Sequence, residues 1–210
     1  MFGQLYERAL GGQRCWLRYD DGATAVLPIG RWLGGHGTDE IFDDAVVRRC
    51  AGPTIELGCG PGRLVARLLR RGIPALGVDQ SPTAVRLAWR RGAAVMLGDV
   101  FGPLPGAGTW HTVLLADGSI GLGADPRRLL ARASHLLRPG GQCVVEFDAA
   151  TTGVRAHRMR LESNDESGPW FSWAAVGADS GAALAAHAGL ALTAHHRIGA
   201  RVLATLAAPA

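Results

Sequence analysis

Thr54-Ile55-Glu56-Leu57-Gly58-Cys59-Gly60-Pro61-Gly62-Arg63 is the most informative stretch of this 210-residue chain. An apolar run ends in a carboxylate, glycines then fill every second position from 58 to 62, and an amphipathic run follows. Such a connection leads from strand to helix and lets backbone N–H groups at the helix start lie against a ligand with no side chain between. The spacing discriminates between ligands. A dinucleotide fingerprint, Gly-x-Gly-x-x-Gly, needs a glycine where Arg63 stands, which disfavours a nicotinamide oxidoreductase.

Outward from this turn, residues 53 to 148 alternate short apolar runs with amphipathic helices, the pattern of a parallel, doubly wound sheet. Thr54–Leu57, Ala75–Asp79, Ala94–Leu97, Thr112–Ala116 and Gln142–Asp148 read as strands. A helix from Pro61 to Arg71 sets Leu64, Val65, Leu68 and Leu69 on one face and Arg63, Arg67 and Arg70 on the other. Ser81-Pro82 and Asp125-Pro126 supply an N-cap and a first-turn proline to two more helices. The second of these puts Leu129, Leu130, Ala133, Leu136 and Leu137 on its buried face and ends at a turn, Arg138-Pro139-Gly140-Gly141. Beyond an irregular segment, Ser180–Ala188 reads as a helix, and Leu190–His195 with Arg201–Leu206 as a final strand pair.

At three linked points the chain resembles the class I methyltransferases that use S-adenosylmethionine (SAM): the glycine turn, the Leu-Arg-Pro-Gly-Gly turn into Val-Val-Glu-Phe, and the closing strand pair. The resemblance covers about residues 53–207. It implies a Rossmann-like three-layer α/β sandwich with a mostly parallel seven-stranded sheet and an antiparallel C-terminal strand. It also implies SAM as cofactor. Glu56 would then help bind the methionine amino group, while Gly58, Cys59, Gly60 and Gly62 let the backbone approach the methionine and ribose. Asp79, followed by Gln80, would accept from the ribose hydroxyls, and Asp99 from the adenine amino group beside the backbone of Val100. Residues 53–210 would form the SAM-binding domain, residues 1–52 an N-terminal cap, and 149–179 a substrate-cap insertion.

The reacting groups are less legible. Asp117, in Asp117-Gly118-Ser119-Ile120-Gly121, stands where the transferred methyl would be exposed, and three roles stay open for it: general base, metal ligand or cofactor contact. A lone carboxylate is a poor metal site, so no metal is expected. The Asn/Asp-Pro-Pro-Tyr/Phe motif common among amine and nucleobase methyltransferases is missing there, which weakens a base-methylating role. His36, in a glycine loop, could reach a substrate hydroxyl and is the second catalytic candidate; His111, His195 and His196 read as surface or turn residues.

Composition fits a soluble globular domain, with 48% hydrophobic and 19% charged residues. Net charge is +4, every basic residue is Arg, and the arginines are scattered in ones and twos, which argues against a nucleic-acid partner. Cys15, Cys50, Cys59 and Cys143 form no Cys-x-x-Cys pair, no apolar run approaches a membrane span, and Met1–Leu10 lacks the features of a signal peptide. A cytoplasmic enzyme that methylates a small molecule is the leading expectation. Methylation of RNA or protein, and a non-catalytic SAM-binding accessory role, are the alternatives.

Overall fold

The computed structural model describes residues 3–35 and 37–210. In chain order the elements are α1 (Gly3–Leu10), β1 (Trp16–Tyr19), β2 (Thr24–Val26), α2 (Ile29–Trp32), α3 (Thr38–Arg49), β3 (Thr54–Leu57), α4 (Arg63–Arg70), β4 (Ala75–Asp79), α5 (Pro82–Arg90), β5 (Val95–Leu97) and β6 (Trp110–Leu115). They continue with α6 (Pro126–Leu136), β7 (Leu137–Phe147), β8 (Val154–Glu162), β9 (Phe171–Val176), α7 (Gly181–His187), β10 (Ala191–Ile198) and β11 (Arg201–Ala207).

Seven strands form one sheet in the order β10-β11-β7-β6-β3-β4-β5. All pairs from β7 to β5 are parallel, and β11 runs antiparallel to both of its neighbours. This is the expected Rossmann-like arrangement, and its three layers follow from strand alternation. Ile55, Leu57, Val113, Leu115 and Val145 point to one face, where they pack on Leu129, Leu130 and Ala133 of α6 and Leu184 of α7. Leu114, Val144 and Leu203 point to the other, against Phe42, Val46 and Val47 of α3 and Leu64 and Leu68 of α4. The helix α3 therefore builds a layer of the main domain, although it lies within the segment read as a cap.

Local chemistry sets the helix starts. The Ser81 hydroxyl accepts from Ala84 N–H at 3.1 Å and the Asp125 carboxylate from Arg128 N–H at 3.0 Å, each followed by proline in the first turn. Glu7 on α1 extends the first cap. Its carboxylate accepts from the Ser81 hydroxyl at 2.7 Å and from Thr83 N–H at 3.1 Å, so the N-terminal helix is moored to the start of α5.

Three expectations need correction. Leu137 opens β7 opposite Trp110 rather than closing α6, because the nearby Pro139 disfavours helical backbone before it. The Pro-Gly-Gly turn is drawn into that strand's beginning: Gly140 N–H donates to Pro209 O at 2.7 Å, and Ala208 N–H to Gly141 O at 2.8 Å. The segment after β7 is not irregular. Its two strands, β8 and β9, join β1 and β2 in a second, antiparallel sheet ordered β2-β1-β8-β9. No helix among the described residues is long and apolar enough to cross a membrane, and all four cysteines are buried free thiols.

Gly62 precedes α4 with φ +71°, and a Cβ there would stand 2.7 Å from Ala88 Cβ and 2.8 Å from Ala93 Cβ. Gly62→Ala is expected to lower unfolding free energy in urea by about 2–4 kcal/mol, from left-handed strain plus overpacking. Gly72→Ala, at φ +74° with open space around it, should cost only about 1 kcal/mol. Equal losses for the two would refute the close-approach account.

Candidate functional site

The glycine turn is held to β4 by backbone bonds. Gly58 N–H and Cys59 N–H both donate to Val78 O, at 2.9 and 3.1 Å. Gly60 N–H donates to Asp79 Oδ2 and Ser81 N–H to Asp79 Oδ1, each at 2.8 Å. Asp79 thus clamps the turn to the start of α5 and retains some acceptor capacity. Burial raises its carboxyl above the ordinary value even though these N–H groups favour the charged form.

A cavity of about 590 Å³ opens above the turn. Glu56, Gly58, Cys59 and Gly60 form its floor, Asp79 and Gln80 one side, and Val100 and Asp117 another. The structure therefore brings eight of the sequence-predicted residues around one space. Gly62 is not among them and serves the packing of α4 on α5. Asp99 is exposed outside the wall, its carboxylate accepting from Phe101 N–H at 3.0 Å. His36 lies outside the described residues. His111 sits within β6, its Nδ1 3.3 Å from Thr112 Oγ1, and His195 and His196 lie on the exposed edge strand β10.

Two carboxylates in the wall have opposite character. Glu56 is 4% exposed, and one of its oxygens, Oε2, has no hydrogen-bond partner among the described residues. Burial pushes its carboxyl well above the usual range, with the charges of Asp117 and Asp79 adding to the effect. Asp117 is partly buried, and the guanidiniums of Arg63 and Arg201 outweigh its desolvation and hold its carboxyl below the usual range. Its backbone N–H donates to Glu146 Oε2 at 2.6 Å, and Arg201 Nε binds Glu146 Oε1 at 2.7 Å.

Arg63 corrects the helix reading. It is 5% exposed rather than on the solvent face, and it pairs with Asp43 of α3 as well as with Asp117. As the first residue of α4 it lies beneath the turn, where the helical face set by later residues does not reach.

The cavity's other end is roofed by the second sheet. Leu17 and Tyr19 of β1, His157 and Met159 of β8, and Trp173 of β9 face it, with Tyr6 of α1 and Trp32 of α2 near the turn. Tyr6 and Trp32 meet edge-on at 5.9 Å, and Tyr19 and His157 at 5.4 Å. The sequence did not single out Tyr19, His157 or Met159 as site residues. Their strands are fixed by pairing Trp16 with Glu162 and Tyr19 with Met159 across most of the chain, and local periodicity carries no trace of that. Among the described residues no group of three His, Cys, Asp or Glu side chains could hold a metal ion.

Residues 55–145 match the family model described as a methyltransferase domain. Among curated proteins, the chain is 34% identical over 128 residues to an uncharacterized 37.1 kDa protein in transposon TN4556 of Streptomyces fradiae. That match takes in 51% of this chain, which spans 34% of the curated relative's length. A SAM-dependent methyltransferase from Bacteroides fragilis, solved with S-adenosyl-L-homocysteine, superposes with a TM-score of 0.78 at 18% identity, covering 94% of this chain and 89% of that one. The Burkholderia thailandensis 1,6-didemethyltoxoflavin-N1-methyltransferase, solved with its acceptor and S-adenosylhomocysteine, gives 0.61 at 19% identity, with 82% of each chain covered.

Because its folded-state pKa is depressed, Asp117 contributes stability above the ordinary carboxylate range, and that contribution is lost as pH falls through the depressed value. Asp117→Asn leaves Arg63 and Arg201 short of a counter-charge and is expected to cost about 3–5 kcal/mol at pH 7. Urea titrations should show the gap to wild type closing on acidification below about pH 4. A gap independent of pH would rule out charge as its origin.

Proposed function

We propose that this chain, a class I SAM-dependent methyltransferase, acts on a small-molecule acceptor held between the glycine turn and the roof of the second sheet. The observation that carries this reading is the single cavity whose floor offers Glu56 and Asp79 to a cofactor and whose far end is closed by β1, β8 and β9. Its volume lies within the range of about 300–1,000 Å³ usual for small-ligand sites. The roof favours a compact acceptor over a polymer, and the toxoflavin-type enzyme among the structural neighbours is a parallel case.

The donor set suits SAM. The unpartnered Glu56 oxygen meets the need of the methionine ammonium, and the remaining acceptor capacity of Asp79 meets that of the ribose hydroxyls. Gly58, Cys59 and Gly60 offer close backbone approach, with Gln80 beyond Asp79 and Val100 beside the adenine. Asp99, on the outer side of Val100, would meet the adenine amino group at the edge of the site. When bound, SAM supplies a methyl group already activated by a positive sulfur.

The protein's part is then to align the acceptor and exclude water. Orientation of this kind accounts for about 7–11 kcal/mol of barrier in favourable systems. Asp117, paired with two arginines and held ionised at low pH, is a weak proton acceptor and fits a positioning role. The two sheets make the segment 149–179, with β1 and β2, a substrate cap in this reading.

Calorimetry with S-adenosylhomocysteine is expected to show binding that Asp79→Ala weakens by on the order of 10–100-fold, the loss of charged hydrogen bonds. NAD should give no heat. Methyl-labelled SAM incubated with a cell extract should place label in the low-mass fraction. Binding of NAD in place of the homocysteine compound would overturn the cofactor assignment, and label confined to RNA or protein would overturn the acceptor class.

A further inference from the structure

The cavity ends at a second cluster of chemistry that the cofactor residues do not use. His157 projects from β8, Tyr19 from β1, and Asp148 and Thr151 follow the end of β7, all four on the cavity wall. These groups come from three separate elements, and the pairing of Tyr19 with Met159 sets β1 beside β8. His157 is the one histidine among the described residues that lines this space. Every other protonatable side chain in the wall is a carboxylate, a thiol, a phenol or a guanidinium.

Resting on the methyl-transfer reading, we propose that His157 is the catalytic base, taking the proton from a neutral O–H or N–H nucleophile as that nucleophile receives the methyl group. A bond forms from the acceptor heteroatom to the methyl carbon, and the carbon–sulfur bond breaks with its electron pair passing to sulfur. The heteroatom's proton goes to the imidazole, so the positive charge lost at sulfur is regained on His157.

The surroundings of His157 suit that role. The Tyr19 ring meets it edge-on at 5.4 Å with planes 77° apart, which limits the imidazole's rotation. Trp173 lies opposite it in the β8–β9 register, and Met159 stands next on the same face. Asp148 lines the same wall and lies close enough to Tyr19 to act on its phenol. Burial raises the Tyr19 phenol, with Asp148 and then Asp21 adding to it, so the phenol stays protonated and leaves the imidazole as the base. Asp148 is itself oriented: Oδ1 accepts from Ala150 N–H and Oδ2 from the Thr151 hydroxyl, each at 2.8 Å. Unperturbed histidine titrates between pH 5 and 8, where no unperturbed carboxylate or phenol does.

The test follows label transfer from methyl-labelled SAM to the low-mass acceptor fraction of an extract, across pH 5.5 to 9, with S-adenosylhomocysteine calorimetry run in parallel. His157→Gly is expected to bind S-adenosylhomocysteine as wild type does and to lose transfer by on the order of 10²–10⁴-fold. Its acidic pH limb should vanish, and added imidazole should restore transfer in proportion to its free-base fraction. If His157→Gly does not bind the homocysteine compound, His157→Gln takes its place and is read by the pH limb. Transfer and pH profile unchanged in a variant that still binds would overturn the proposal, as would a loss that imidazole does not rescue and that leaves the limb intact. Wild type that binds S-adenosylhomocysteine yet labels nothing would overturn the small-molecule reading, and this inference with it.

Discussion

A half-buried carboxylate between two arginines ties the layers of this protein together. Asp117 lies just past the end of the central strand β6, Arg63 begins α4, and Arg201 begins β11. Asp43 of α3 and Glu146 of β7 join them, with Arg31 and Asp39 at the edge, so one charge network links several elements at the carboxyl end of the sheet. Charges taken out of water are tolerated only when paired, and each pairing here spans elements distant in sequence. Positioning α4 through Arg63 also positions the turn before it, and so the floor of the cavity. Arg201 lies over the Phe42 ring at 3.3 Å, which joins the network to the apolar layer under α3.

Above that floor the cavity has two ends with different demands. At the turn, Glu56 keeps an unpartnered oxygen in a buried position, a configuration that costs stability in the protein alone and favours a cationic ligand. At the roof the lining is aromatic and aliphatic, with polar character concentrated at His157, Tyr19 and Asp148. In the proposed reading the first end holds the cofactor and the second a compact acceptor.

The legibility of these features in the sequence follows from how each is held. Glu56, Gly58, Gly60 and Asp79 could be read because a strand-to-helix turn constrains residue type locally. Asp99 and Gly62 belong to the same pattern, yet the structure puts Asp99 at a turn outside the cavity and Gly62 against Ala88 and Ala93. Residue type alone does not say how far each stands from the cavity. Arg63 was misjudged because helical periodicity averages over a face and is blind to a first-turn residue tucked under a loop. His157 left no local signal, since its direction depends on β8 pairing with a strand at the opposite end of the chain.

The roof also bears on how the chain is made. Trp16 pairs with Glu162, and their side chains hydrogen-bond across 146 positions. The hairpin of β1 and β2 can pair locally, but the ribosome must deliver nearly all of β8 before β1 gains its second neighbour, and Arg201 emerges later still to meet Asp117. Contacts this far apart in sequence slow folding, because the loop between them must close first. The nascent chain can shape the glycine turn early and pair Asp117 with Arg63, but the second arginine of the network arrives only with β11. A chain lacking β11 would keep the Arg63–Asp117 pair but leave Glu146 without its guanidinium partner at the carboxyl end of the sheet.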